Sequence, residues 1–202
     1  MYQKPDNDFS SQERKFARRK LLVGTSAIAG AAAVAAVGGG LALEGAHAAP
    51  ASGGSVAPVK LYRLKKENVD YLYLTNTSDV QTAQSSKYGY TLEGVAGYVY
   101  TAQVSGTSPV YRWNNGKEHF YTADPNEKPS GYKLEGIQFY AYGQALSLVG
   151  AGIPKGFTPT PFYRSTNGTI HFYTGNTQEL VNAQKQYKYT VEGAAWYVLA
   201  HP

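Results

Sequence analysis

Beyond Lys60 the chain runs in short stretches where apolar and polar residues alternate, interrupted by clusters of Gly, Asn, Pro and Ser. Alternation of period two marks half-buried strands, and such clusters mark turns. The pattern predicts strands at 60–64, 70–74, 90–92 and 95–100. A second series follows at 110–113, 118–122, 132–134 and 137–142, and a third at 162–164, 171–174, 189–191 and 194–199. Asn114-Asn115-Gly116 and Thr166-Asn167-Gly168 carry the Asn-Gly pair that favours tight hairpin turns. Two segments have helical character: 80–86 behind the capping run Asn76-Thr77-Ser78-Asp79, and 178–186 behind Asn176 or Thr177. The corresponding segment 124–130 holds two prolines, so no helix is expected there.

The three series share one pattern. Tyr-Arg occurs at Tyr62-Arg63, Tyr111-Arg112 and Tyr163-Arg164. Glu-Gly occurs at Glu93-Gly94, Glu135-Gly136 and Glu192-Gly193. His-Phe-Tyr occurs at 119–121 and 171–173, with Tyr71-Leu72-Tyr73 in the same place of the first series. The spacing describes a unit of about 50 residues, and repeats of that period are one supersecondary element stacked on its copies. The expected architecture is all-β, a β-trefoil-like domain at 59–202 with repeats at about 59–108, 109–160 and 161–200. A propeller needs more blades, and a solenoid needs capping units.

Composition changes this picture at the N-terminus. Residues 1–20 are polar and basic and 21–43 are apolar and small; Ala46-His47-Ala48 then forms a small-x-small cleavage pattern. That order is a secretory signal over 1–48, and Arg18-Arg19 before two leucines resembles the twin-arginine export signal. An uncleaved anchor over 21–43 is the alternative. Residues 49–58 read as a flexible linker. The expected product is a secreted monomer, free or cell-wall associated, with no stable membrane insertion once the signal is cleaved. There is no cysteine, so no disulfide is required. From residue 49 onward 13 Lys/Arg face 10 Asp/Glu, a net charge of +3 without a basic cluster. That excludes sequence-independent nucleic-acid binding as an expectation.

Candidate chemistry is sparse. One arginine and one glutamate per unit, Arg63/Glu93, Arg112/Glu135 and Arg164/Glu192, suggest structural ion pairs. The glycine after each glutamate suggests a bulge or a positive φ. His119 and His171 read as packed, hydrogen-bonded residues; Tyr71 at the third place argues against a metal site on a threefold axis. No cofactor or metal is expected, and no nucleophile elbow, metalloprotease helix or phosphate loop is present in the sequence. A hydrolase using two acids from Asp124, Glu127 and Glu118 is the enzymatic alternative. For ligand binding, the hairpin aromatics and amides Trp113, Asn115, Tyr121, Asn167 and Tyr173 suit a sugar face and its hydroxyls.

These motifs resemble a family of secreted bacterial and fungal repeat domains of uncharacterised function. Its units run Leu-Tyr-Arg-Leu-Tyr, His-Phe-Tyr-Thr, Gly-Tyr and Glu-Gly-Val-Ala-Phe-Tyr, and the resemblance covers about 61–198. Tyr71-Leu72 and Gly97 depart from it, where His-Phe and an aromatic stand in the family. The resemblance implies extracellular recognition, of glycan before other ligands. The expectation is therefore a secreted, non-catalytic binding module for extracellular or cell-wall carbohydrate. The alternatives are a protein-binding module, such as a protease inhibitor inserting loop 148–159, and a polysaccharide hydrolase.

Overall fold

Among the described residues, Asn76 opens a short helix, α1 (Thr77–Gln84), by accepting from Ser78 N–H, and Asn176 opens another, α2 (Thr177–Tyr187), by accepting from Gln178 and Glu179 N–H. They bury only Val80 and Ala83, and Leu180 and Ala183. Among the described residues everything else regular in this computed structural model is strand, and the protein is mostly β. Residues 56–143 and 152–200 are described. The leader, residues 49–55 of the linker, an extra strand expected at 145–149 and residues 148–151 of the connecting loop lie outside them.

Nine strands form three antiparallel sets. The first is β1 (Val59–Lys66), β2 (Asp70–Leu74) and β3 (Thr91–Val99). The second is β4 (Ser108–Asn114), β5 (His119–Thr122) and β6 (Lys133–Ala141). The third is β7 (Thr158–Thr166), β8 (His171–Thr174) and β9 (Thr190–Ala200). In each, the middle strand pairs with a short hairpin partner on one side and a long strand on the other. Each set therefore has three strands, not four. The reason is that the long strand crosses Glu-Gly without breaking.

It crosses by bulging. Arg63 pairs with Gly94 and Leu64 with Leu92, so Glu93 is an extra residue on the long strand. Glu135 and Glu192 occupy the same place opposite Arg112/Trp113 and Arg164/Ser165. The following glycines have φ of +135°, +125° and +124°, values open to glycine and costly for other residues. A Cβ at Gly94 or Gly136 would meet nothing within 4 Å, so conformation and not space demands glycine there.

The far ends of the long strands join the sets in a cycle. Tyr100 bridges Tyr140, Tyr142 bridges Tyr197, and Leu199 pairs with Tyr98. Tyr100, Tyr142 and Leu199 are buried together beneath this closure. At the opposite end the hairpin strands β2, β5 and β8 bring Tyr73, Tyr121 and Tyr173 together. Their ring centroids are 5.3, 5.5 and 5.7 Å apart, all edge-to-face. Between the two ends lies the main core, with Leu61, Val110 and Phe162 on the middle strands and Phe139, Trp196 and Val198 on the long ones.

Three local outcomes differ from simple alternation. All four residues of β5 are buried, because both faces of that hairpin strand are covered. Residues 123–132 form turns in place of a helix: Pro129 falls inside what would be the helix, and Lys128 stands where Val80 and Leu180 anchor α1 and α2. As a result Leu134 is 52% exposed, whereas Leu92 and Val191 pack in the clusters under the helices. Finally, β7 begins at Thr158, earlier than expected. Pro159 and Pro161 fit because β7 is paired on one side only before Tyr163.

The tyrosine cycle gives the first testable outcome. The Tyr173 hydroxyl accepts from Tyr121 N–H and donates to Tyr121 C=O. Tyr173→Phe leaves both groups buried without partners, and unfolding in urea should show a loss of about 2–3 kcal/mol.

Candidate functional site

The junctions between sets are built from side chains that satisfy the free backbone edges of β2, β5 and β8. Tyr121 hydroxyl accepts from Tyr73 N–H at 3.0 Å, Tyr173 hydroxyl from Tyr121 N–H at 2.8 Å, and Tyr73 hydroxyl from Tyr173 N–H at 2.9 Å. Burial holds Tyr73 and Tyr173 well above the ordinary phenol range, so both remain neutral donors. Tyr121 and Tyr173, expected to stack on a ligand, are fully buried with their hydroxyls committed to the fold. They are corrected here to core residues.

A carboxylate at the start of one hairpin strand meets the histidine of the next. Asp70 accepts from His119 N–H at 2.8 Å and contacts His119 Nδ1 at 2.5 Å. The Asn114 side-chain amide lies 2.9 Å from His119 Nε2 and donates to it, so Nδ1 carries the proton given to Asp70. Glu118 accepts from His171 N–H at 2.6 Å and contacts His171 Nδ1 at 2.9 Å. Tyr90 and Tyr132 donate their hydroxyls to Asp70 and Glu118 from within each set. At the third junction both partners change together: Ile170 replaces the acid and Tyr71 the histidine. Tyr71 packs on Phe172 at 5.1 Å, an apolar contact in place of a charged one.

The arginines tie the sets together from outside. Within each set Nε reaches the bulge glutamate: Arg63–Glu93 at 2.7 Å, Arg112–Glu135 at 2.5 Å and Arg164–Glu192 at 2.7 Å. Arg164 also makes a two-pronged pair with Glu127 of the preceding set, at 3.0 and 2.8 Å. Arg63 does the same with Glu179 of α2, at 3.0 and 2.7 Å. Thr122 and Thr174 donate to those glutamates. Arg112 is different. Asp79 stands at the place of Glu179 and is one methylene shorter, Leu74 replaces the threonine, and Arg112 Nη1 is buried without a hydrogen-bond partner. Asp124, Glu127 and Glu118 are spread over this scaffold: Asp124 accepts from Asn126 N–H in a turn, Glu127 holds Arg164, and Glu118 is buried against His171.

A groove of about 550 Å³ opens between the third and first sets. Its lining includes the Arg63, Glu93 and Glu179 cluster, the amides Asn176, Gln178 and Asn182 at the start of α2, and the small or apolar Ala96, Gly97 and Val198. Gly97 pairs opposite Leu61, as Phe139 pairs opposite Val110 and Trp196 opposite Phe162. A Cβ at Gly97 would lie 2.8 Å from Val198 Cγ2, so the close approach of β3 and β9 needs glycine. The remaining predicted ligand residues are elsewhere. Trp113 is half-buried on β4, while Asn115 and Asn167 are exposed and accept N–H groups of their own turns. These residues do not converge. The groove was missed because its lining comes from opposite ends of the chain, although Gly97, Tyr71 and Ile170 mark the junction as departures from the pattern. Among the described residues there is no group of three or more His, Cys, Asp or Glu able to hold a metal ion. None of the described helices is long and apolar enough to cross a membrane.

Two outcomes follow from the arginine pairs. Burial alone would raise Glu179, but hydrogen bonds from Arg63 and Thr174 outweigh it and hold the carboxyl below its ordinary value of 4.5. A depressed folded value means that the pair stabilises above about pH 4.5 and that this contribution is lost as pH falls through the folded value. Glu179→Gln should be less stable than the parent at pH 7 and should show a flatter loss of stability in acid, read from urea unfolding at stepped pH. Conversely, Asp79→Glu should supply Arg112 with the carboxylate it lacks and raise stability by about 1 kcal/mol.

A family model described as a domain of unknown function (DUF5648) matches residues 31–142 and, a second time, residues 128–199. No curated protein and no solved structure matches the chain significantly. The two family matches together span most of the 202 residues. The chain belongs to the DUF5648 family of domains.

Proposed function

We propose that this protein is a secreted, non-catalytic binding module for extracellular or cell-wall carbohydrate, and that its three strand sets are copies of one unit closed in a trefoil-like threefold arrangement. The cyclic tyrosine contacts and the bulge at the same place in each set support the threefold reading. The ligand site is the groove between the third and first sets. One observation carries this: Gly97, a break in the repeated pattern, lines the groove, and the Tyr71 break packs on Phe172 between the same two strand sets.

The lining suits a polyhydroxylated ligand. Amides and carboxylates in the lining offer both donors and acceptors, and Ala96 and Gly97 add a small apolar patch for the C–H face of a sugar. A hydrolase reading fits less well. A general acid needs a raised pKa, whereas Glu179 is lowered. The protein-binding reading rested on loop 148–159. Its described part is anchored by Ile153 and Phe157 against the cluster at the closed end, with Phe157 5.2 Å from Tyr98, and residues 158–159 belong to β7.

The test is retention of the purified protein on insoluble peptidoglycan, chitin and cellulose, with soluble sugar as competitor. Retention that the competitor removes, weakened about tenfold in Gln178→Ala/Asn182→Ala, is the expected result. Loss on Trp113→Ala with no effect of the double variant would move the site to the β4–β5 hairpin. No retention on any polymer would overturn the carbohydrate reading.

A further inference from the structure

The groove has a charge that its composition alone does not reveal. Arg63 is its single cation, and three of the guanidinium's donors point at carboxylate oxygens: Nε at Glu93, and Nη1 and Nη2 at Glu179. Two carboxylates face one guanidinium, so the cluster is net negative by one charge. The nearby Lys65 also acts on Glu93 and Glu179, but its charge is offset by Glu67 at 2.9 Å, so the net charge stays the same. The Arg63 side chain is 14% exposed, against 29% for Glu93 and 34% for Glu179. A ligand in the groove therefore meets carboxylate before it meets guanidinium. Arg63 binds Glu93 through Nε to the single oxygen Oε2. Elsewhere in the lining Asn176 Oδ1 is spent on capping α2, and Asn182 Oδ1 accepts from Gln178. Their amide N–H groups and the Gln178 carbonyl remain for hydroxyls.

We infer that the groove selects an amino sugar bearing a free, protonated amine, with the ammonium on Glu93 and the sugar hydroxyls on the amides of α2. This rests on the carbohydrate reading above and adds the chemistry of the sugar. An exposed ammonium–carboxylate contact contributes modestly and is screened by salt. The preference over the N-acetylated counterpart is accordingly about fivefold at low ionic strength and shrinks as salt is added. A uronic acid brings a like charge to Glu93 and Glu179 and is rejected.

The experiment measures binding of three soluble oligosaccharides to the full chain: a glucosamine oligomer, its N-acetylated form and a galacturonic acid oligomer. The glucosamine oligomer should bind about fivefold tighter than the N-acetylated one, with no binding of the uronate. Glu93→Gln should abolish that preference. Should Glu93→Gln unfold, Asn182→Lys replaces it: Asn182 is exposed on α2, and the added cation brings the cluster to neutrality and should remove the preference for the glucosamine oligomer. Equal or tighter binding of the N-acetylated or uronate form, or a preference that both variants leave unchanged, overturns the inference and keeps the carbohydrate reading. Failure of all three oligomers to bind, with insoluble polymers also negative, overturns both.

Discussion

Backbone amides on the edges of three short hairpin strands must find partners in a buried place, and the rest of the structure depends on that constraint. A sheet edge without partners is costly when dry. Here β2, β5 and β8 are each the terminal strand of their sheet, and their edges face one another. No strand inserts between them. Side chains supply the missing partners: tyrosine hydroxyls at the centre, and Asp70 and Glu118 one turn of the pleat further out. A hydroxyl both donates and accepts, so one tyrosine satisfies the N–H and the C=O of its neighbour. That is why the aromatic at this place is tyrosine in each set, while the residue before it varies.

The same constraint explains where the molecule is free to differ. Two junctions are closed by acid–histidine contacts and the third by tyrosine on phenylalanine. The exchange is paired, since a lone buried acid at position 170 would lack its histidine. The junction with the apolar contact is also the one bearing the groove and the close approach of Gly97 to Val198. Nominally equivalent places thus differ in the contacts they make. Arg63, Arg112 and Arg164 illustrate this: two are saturated by carboxylates from the neighbouring set, and the third keeps a buried nitrogen without a partner.

Much of the fold was legible from the chain. The positions of the strands, both helices with their asparagine caps, and the missing middle helix follow from local rules that depend on neighbours in sequence. The arginine–glutamate pairs were suggested by their recurrence once per unit, and the bulge by glycine after each glutamate. The candidate site was not legible. Trp113, Asn115 and Asn167 looked suitable by residue type, but the two asparagines hold their own turns. Tyr121 and Tyr173 looked equally suitable, and alternation cannot say which face of a strand is covered when both are.

What the sequence by itself determined is the all-β character, the recurrence of the Tyr-Arg and Glu-Gly pairs, the departures at Tyr71 and Gly97, and membership in the family. These are properties of local patterns, written in residues close together in the chain. What only the tertiary structure decided is which units touch and in what order. That order sets Arg63 beside Glu179, 116 positions away. It turns the tyrosines inward and opens a groove between the chain's first and last strand sets. Contacts of that kind depend on the closure of the whole domain, and no local pattern encodes them.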